Sequence, residues 1–206
     1  MTWSMSSSTL LTPGEVEHLR EAVSVGFENA ALGLSGMVNK PIKVISPALR
    51  IVPVEQVPNL FGKADDVVVA MYLEVSGDIA GHILLILSLE AADQLVTMLV
   101  GVEMASTETL GEMERSALGE VANVTGSFFL NALGDATGLL MQPSPPAVLM
   151  DMAGAALDAP LMALALSMNE VLVIDTWFID EERQIKGLFL ILPNSDSLGT
   201  IVERLN

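Results

Sequence analysis

The stretch SALGEVANVTGSFFLNALGD, Ser116 to Asp135, carries Ser116, Glu120, Asn123 and Ser127 at i, i+4, i+7 and i+11. On a helix that spacing stacks them into one polar stripe. A solvent-facing stripe is ordinarily built from Lys, Glu and Arg, long chains with many rotamers. This one offers short, stiff groups around a single carboxylate, which lets another molecule come close to the helix. The carboxamide of Asn123 accepts and donates hydrogen bonds without carrying charge, whereas the carboxylate of Glu120 only accepts. The two stand three residues apart on one rigid element, as precise geometry requires. A Glu-x2-Asn pair on an exposed face is common, so its context must decide whether it is a site or a solvated surface.

Composition narrows the chemistry. Cysteine is absent, which removes disulfides, thiolate metal sites and cysteine nucleophiles. The two histidines, His18 and His82, lie apart from any His/Asp/Glu cluster with ligand spacing, so no metal site is expected. No GxGxxG, GxxxxGK or GxSxG occurs. Nine Lys and Arg against 26 Asp and Glu leave a formal charge of −17. Such a surface repels nucleic acid and anionic lipid and suits a partner with a basic rim, although most of these charges serve solubility. Of the 206 residues 51% are hydrophobic and 17% charged, enough for a sizeable core in one domain. Asp78, Glu90, Asp93, Asp151 and Asp158 break the apolar stretches, so none reaches the roughly 18 residues of a membrane span. The lead MTWSMSSSTLLTPGE lacks the basic and long apolar regions of a secretory signal, so a cytoplasmic location is expected.

The elements that must position the stripe can be read in order. Residues 1–11 form a loose polar lead. Thr12, Pro13 and Glu15 make a helix start with a capping box, and the helix runs to about Val38, ahead of Asn39-Lys40-Pro41. Ile42 to Gly62 is short extended pieces cut by Pro47, Pro53 and Pro58. DDVVVAMYLEV and IAGHILLILS form a hairpin about Ser76-Gly77-Asp78, and LEAADQLVTMLVG is an amphipathic helix ended by Gly101. The order then repeats: a second long helix with a Thr-x-x-Glu start at Thr109 to Glu112, a Pro-broken link, a hairpin from Glu170 to Pro193, and a last helix.

This is an internal duplication, with repeats over about 12–101 and 109–206. Glu21-x2-Ser24 answers Glu120-x2-Asn123, and Pro47 answers Pro146 at the same 99-residue offset. A duplicated helix–hairpin–helix unit predicts an α+β fold: one antiparallel sheet with a pseudo-twofold axis, two long helices packed on it, and a single domain over 1–206. The run DVVVAMYLEV is too continuously apolar for a strand with one wet face, which predicts burial on both sides or a contact surface.

The full pattern, Ser116-x3-Glu120-x2-Asn123-x22-Pro146, resembles the signature of the CheC/CheX/FliY family of chemotaxis phosphatases, Asp/Ser-x3-Glu-x2-Asn-x22-Pro, at every fixed position. GFENAALGLSGM and PPAVLMDMAGAAL are similar to the CheC branch of it, and the likeness covers roughly Thr12 to Asn206. The resemblance implies hydrolysis of the aspartyl phosphate on the response regulator CheY, with no covalent intermediate. The regulator would supply Mg²⁺ and a Lys, and this chain no cofactor of its own. Asn123 would orient the attacking water and Glu120 would pair with the regulator's Lys; these two are the expected catalytic residues. Ser116 is expected to pack small rather than to act. Because the chain holds both halves, a monomer is expected.

The first copy departs from the pattern. Glu17 stands for Ser116, Glu21 matches, and Ser24 replaces the Asn. A serine hydroxyl is too short to hold the same water, and Glu15, Glu17 and Glu21 crowd the helix. The Glu21/Ser24 site is therefore expected to be degenerate. DMAGAALD, Asp151 to Asp158, reads as a short helix of small residues; the resemblance makes Asp151, Met152, Ala153 and Gly154 a candidate surface for CheD, against a plain packing role. The alternative function is a non-catalytic adaptor that binds CheD or CheY.

Overall fold

A computed structural model of the chain describes residues 12–106, 108–157 and 170–205. The polar lead over 1–11, Asp158 and the remainder of the apolar segment after it lie outside the described residues.

The first helix, α1, spans Pro13–Val38. Its capping box is complete: the Thr12 hydroxyl accepts from the Glu15 amide at 3.4 Å, and the Glu15 carboxylate accepts from the Thr12 amide at 2.6 Å. It ends on Asn39, which takes the left-handed conformation with φ 53°. Then follow β1 (Lys43–Pro53), a 3₁₀ turn (Val54–Phe61), β2 (Val67–Gly77), β3 (Gly81–Ser88) and α2 (Leu89–Val100). The second half repeats the order with α3 (Glu112–Thr137), β4 (Met141–Pro143), β5 (Ala147–Met152), β6 (Glu170–Ile179), β7 (Gln184–Pro193) and α4 (Ser195–Leu205).

Two sequence expectations need correction. Residues 42–53 are not short pieces: they form one 11-residue strand in which Pro47 falls at a register break between Ile45 and Ala48. Proline lacks a donor, and a break in the ladder is where a strand tolerates it. The second long helix does not start on Thr109. Gly111 is its N-cap, and the buried Glu114 carboxylate reaches back to accept from the backbone there, so the reciprocal half of a capping box sits two residues later than expected. A Cβ on Gly111 would meet the Glu114 carboxylate, which would have to swing aside and give up its place in the cap.

All strands join one antiparallel sheet in the order β1-β6-β7-β3-β2, with β4 and β5 sharing the far edge of β2. The fold class is α+β, as expected. The halves are interlaced: β1 of the first half pairs with β6 of the second, and β4/β5 of the second half pairs with β2 of the first.

The sheet is buried on both faces. Val69, Met71 and Leu73 point from β2 into the larger core beneath the helices, while Val68 and Ala70 point into a second core with Val57 of the 3₁₀ turn and Ala153, Ala156 and Leu157. That explains the continuous apolar run of β2. Its Tyr72 lies on this second face and bonds His82 of β3 through Nδ1 at 2.5 Å, so His82 is a strand residue with a partner.

On the helical face α1 and α3 cross antiparallel. A Cβ on Gly26 would meet Phe129 Cα at 2.8 Å, and one on Gly33 would meet the Phe128 ring at 3.0 Å. Missing side chains thus let the helices touch, and both rest on Phe189 of β7, edge-on to Phe27 at 5.5 Å and to Phe129 at 5.4 Å. Burying rings of this size contributes roughly 1.5–3 kcal/mol each. No helix among the described residues is long and apolar enough to cross a membrane.

Candidate functional site

The central apolar face of α3 (Leu118, Val121, Ala122, Thr125, Phe129) is buried against α1 and the sheet. The polar stripe is therefore turned outward, beside the segment that joins β4 to β5. Ser116, Glu120 and Asn123 line an open groove of about 890 Å³ whose opposite wall is Pro143 to Val148. Pro146 thus stands across the groove from the Glu-x2-Asn pair, although it is 23 residues beyond Asn123 in the chain. Glu120 is exposed and Asn123 half-buried. Neither side chain is engaged by another described residue. Two groups rich in hydrogen-bonding capacity are thus held open on a rigid helix, ready for a ligand from outside.

The wall is anchored from behind. The Ser144 amide donates to the Glu74 carbonyl at 2.8 Å and its hydroxyl accepts from the Glu74 amide at 2.9 Å. In front, the wall lies against α3 at Gly119, where a Cβ would stand 3.6 Å from Pro146 Cγ and 3.5 Å from Val148 Cγ2. Arg115 completes the contact by donating from Nη1 to the Val148 carbonyl. Neither Gly119 nor Arg115 was singled out from the sequence. The signal for Gly119 was present: it lies one turn before Asn123, on the stripe's own side of the helix.

Glu21 and Ser24 of the first copy also line an open cleft, beside the register break of β1. It is smaller, about 350 Å³, and differently furnished. Arg20 occupies the place corresponding to Gly119 and Glu28 the place of Ser127. Ser24 Oγ donates to Glu28 Oε1 at 3.5 Å, and Arg20 pairs with Glu17 at 3.6 Å. Crowding by carboxylates is real here, but Glu15 takes no part in it: it is buried in the cap of α1. The acidic neighbour of Ser24 is Glu28.

The stretch DMAGAALD is divided between two elements rather than forming one helix. Asp151 and Met152 end β5 and are exposed, while residues 153–157 are helical. Strand pairing with Val67 and Val68 claims the first two residues. Ala153 is buried in the outer core, and Gly154 donates its amide to the Ala64 carbonyl at 2.9 Å. Of the four candidate contact residues, Asp151 and Met152 are exposed. No group of three or more His, Asp or Glu among the described residues stands close enough to hold a metal ion.

The family profile described as CheC-like matches residues 113–150, the span from the start of α3 through the groove wall. Over 187 residues the chain is 32% identical to the CheY-P phosphatase CheC of Bacillus subtilis (strain 168), covering 89% of this chain and 90% of that one. The chain belongs to the CheC-like family. Solved structures share the fold of this CheC-like chain at lower identity. Thermotoga maritima FliY superposes with a TM-score of 0.74 at 21% identity, covering 96% of this chain and 98% of that one. The FliM middle domain from H. pylori does so with a TM-score of 0.64 at 8% identity, covering 94% and 99%. Membership places the chain in a chemotaxis phosphatase family.

Proposed function

We propose that this CheC-like chain hydrolyses the aspartyl phosphate of a CheY-type response regulator in the groove between α3 and residues 143–148. The observation that supports the reading is that Glu120 and Asn123 open into one groove from one helix with neither side chain engaged. The name of the Bacillus subtilis relative, CheY-P phosphatase, points the same way.

The chemistry asks little of the protein. Water attacks phosphorus in line, the bond to the aspartyl oxygen breaks, and inorganic phosphate leaves a free carboxylate on the regulator. The acyl phosphate is already activated, and the regulator's own Mg²⁺ and Lys neutralise its oxygens. What is missing is an oriented water, and holding one is worth orders of magnitude in phosphoryl transfer. The Asn123 carboxamide accepts a hydrogen bond from that water, and being uncharged it is not repelled by the phosphoryl group. Glu120 pairs with the regulator's Lys and sets the docking register. Mg²⁺ belongs to the regulator in this scheme, and the chain contributes no covalent intermediate. The Glu21/Ser24 cleft is silent.

The test is the lifetime of the acyl phosphate on a phosphorylated regulator. The wild type should shorten it, and Asn123→Ala should lower kcat by about 100-fold with little change in KM, the mark of a group that acts in the transition state. Ser24→Ala should leave both unchanged. A wild type that binds the phosphorylated regulator without shortening its lifetime would overturn the reading. It would favour a non-catalytic adaptor, to which the exposed Val67 and Met152 at the sheet edge offer a CheD-type docking surface.

A further inference from the structure

The groove wall lies at the edge of the sheet. Among the described residues β5 is an edge strand that pairs only with β2, and the link before it contains Pro145 and Pro146, which have no N–H to donate. On the side facing α3, the one described hydrogen bond that ties this wall to the helix runs from Arg115 Nη1 to the Val148 carbonyl. Arg115 stands at the start of α3, five residues before Glu120, and is the sole cation among the residues lining the groove. The corresponding position in the first copy is Val16, which has no such donor. The tie is therefore found at the copy that keeps its Glu-x2-Asn pair and not at the copy that has lost it.

We infer that Arg115 is a positioning residue that pins Val148 to α3 and thereby sets the width of the groove into which Asn123 opens. With the tie in place, Pro146 and Val148 rest against Gly119 and the docking surface is preformed. Without it, the wall is held from behind, by the Ser144–Glu74 bonds and the pairing of β5 with β2, and has no described hydrogen bond to the helix it faces. A preformed surface binds more tightly because less ordering remains to be done on binding. Arg115 thus acts on the affinity for the partner, and Asn123 on the chemical step. A single donor on a flexible stem satisfies one carbonyl, so lysine can stand in for this role. It could not stand in for a forked guanidinium holding a carboxylate or phosphate.

The functional arm of this inference rests on the phosphatase reading; the structural arm does not. The experiment is amide hydrogen exchange on the full chain, paired with steady-state kinetics against a phosphorylated regulator. Arg115→Gln should speed exchange across residues 144–150 by about tenfold while β3 and β7 stay protected, which also shows that the variant folds. It should raise KM about fivefold and leave kcat within about twofold of the wild type. Arg115→Lys should restore both. Unchanged exchange over 144–150 in Arg115→Gln overturns the inference, whatever the kinetics. So does an Arg115→Lys variant as impaired as Arg115→Gln. If exchange rises in Arg115→Gln while the wild type itself has no effect on the acyl phosphate, the phosphatase reading falls and the pinning of the wall stands.

Discussion

Four pairs of corresponding residues separate the two stripes in sequence: Ser116 and Glu17, Gly119 and Arg20, Asn123 and Ser24, Ser127 and Glu28. At each of them the second copy has a neutral group, and at the first, second and fourth the first copy has a long charged one. The cleft of the first copy is therefore both short of a carboxamide and more crowded with charge. Ser24→Asn alone should not make it a working site, because Glu28 would meet the new side chain and Arg20 would still line the cleft. In an Asn123→Ala background, Ser24→Asn should stay within about twofold of the parent rate. Adding Arg20→Gly and Glu28→Ser should raise that rate at least about tenfold, as positioned water returns. Measurement of acyl-phosphate loss with the three variants decides the point; equal rates for all three would mean that the backbone of the first copy, not its side chains, is at fault. The Glu/Asn pair, its resemblance and the loss at Ser24 were all legible in the sequence. Glu28 and Arg20 were not, because their relevance depends on which way a helix is rolled against the sheet.

At the scale of the element, α1 and α3 are placed by contacts that leave no slack. Gly26→Ala would put a methyl group within 2.8 Å of the Phe129 Cα, a backbone atom that cannot swing aside. The helices would have to part, at a cost of about 1–3 kcal/mol, read as a fall in the denaturant midpoint at constant m-value. The start of α3 depends instead on charge. The Glu114 carboxyl is held below the ordinary glutamate range by hydrogen bonds from its own amide and then from that of Ala105, with Gly111 adding to them and burial opposing. A depressed folded-state pKa stabilises the fold above the unfolded value, and that stability is lost as pH falls through the folded value. Glu114→Gln should therefore unfold at a lower temperature than the wild type at pH 7, with the gap closing as pH falls below 4.5. A gap that is the same at pH 7 and at pH 3 would show that the charge is not what holds this turn.

On the scale of the whole molecule, the decisive feature is the exchange of edge strands. Each half contributes a hairpin to the centre of the sheet and sends its remaining strand to the other half's hairpin, so Arg50 of β1 meets Asp175 of β6 at 3.0 Å across 125 residues of chain. Cut at the repeat boundary, residues 12–101 would keep the β2/β3 hairpin but lose β4/β5 from one side of it and β7 from the other. Residues 12–101 alone should show no cooperative thermal transition as a monomer, whereas the full chain should melt as one unit. A cooperative transition in the monomeric fragment would mean that the halves are independent after all. The same interlacing fixes the site: the wall of the groove is second-half chain anchored on Glu74 of the first half.

The amino-acid order alone determined the two long helices, the two hairpins, the duplication and the stripe that carries Glu120 and Asn123. These follow from local periodicity, capping chemistry and repetition, which act between residues close in the chain. It left the burial of both sheet faces open against a contact surface, and it did not show β4 and β5, which lie in what reads as a Pro-broken link. It misplaced the start of α3 by two residues because a Thr-x-x-Glu pattern and a Gly with a returning Glu compete there, and only the closed turn shows which one forms. It divided β1 into fragments because each proline was read as a stop, when the sheet could absorb Pro47 at a break in register. The partners of the strands, the placing of Pro146 across the groove from Asn123 and the tie from Arg115 to Val148 were left to the tertiary structure. All are contacts between distant segments, decided by which apolar faces can be buried together, and no local rule encodes that choice.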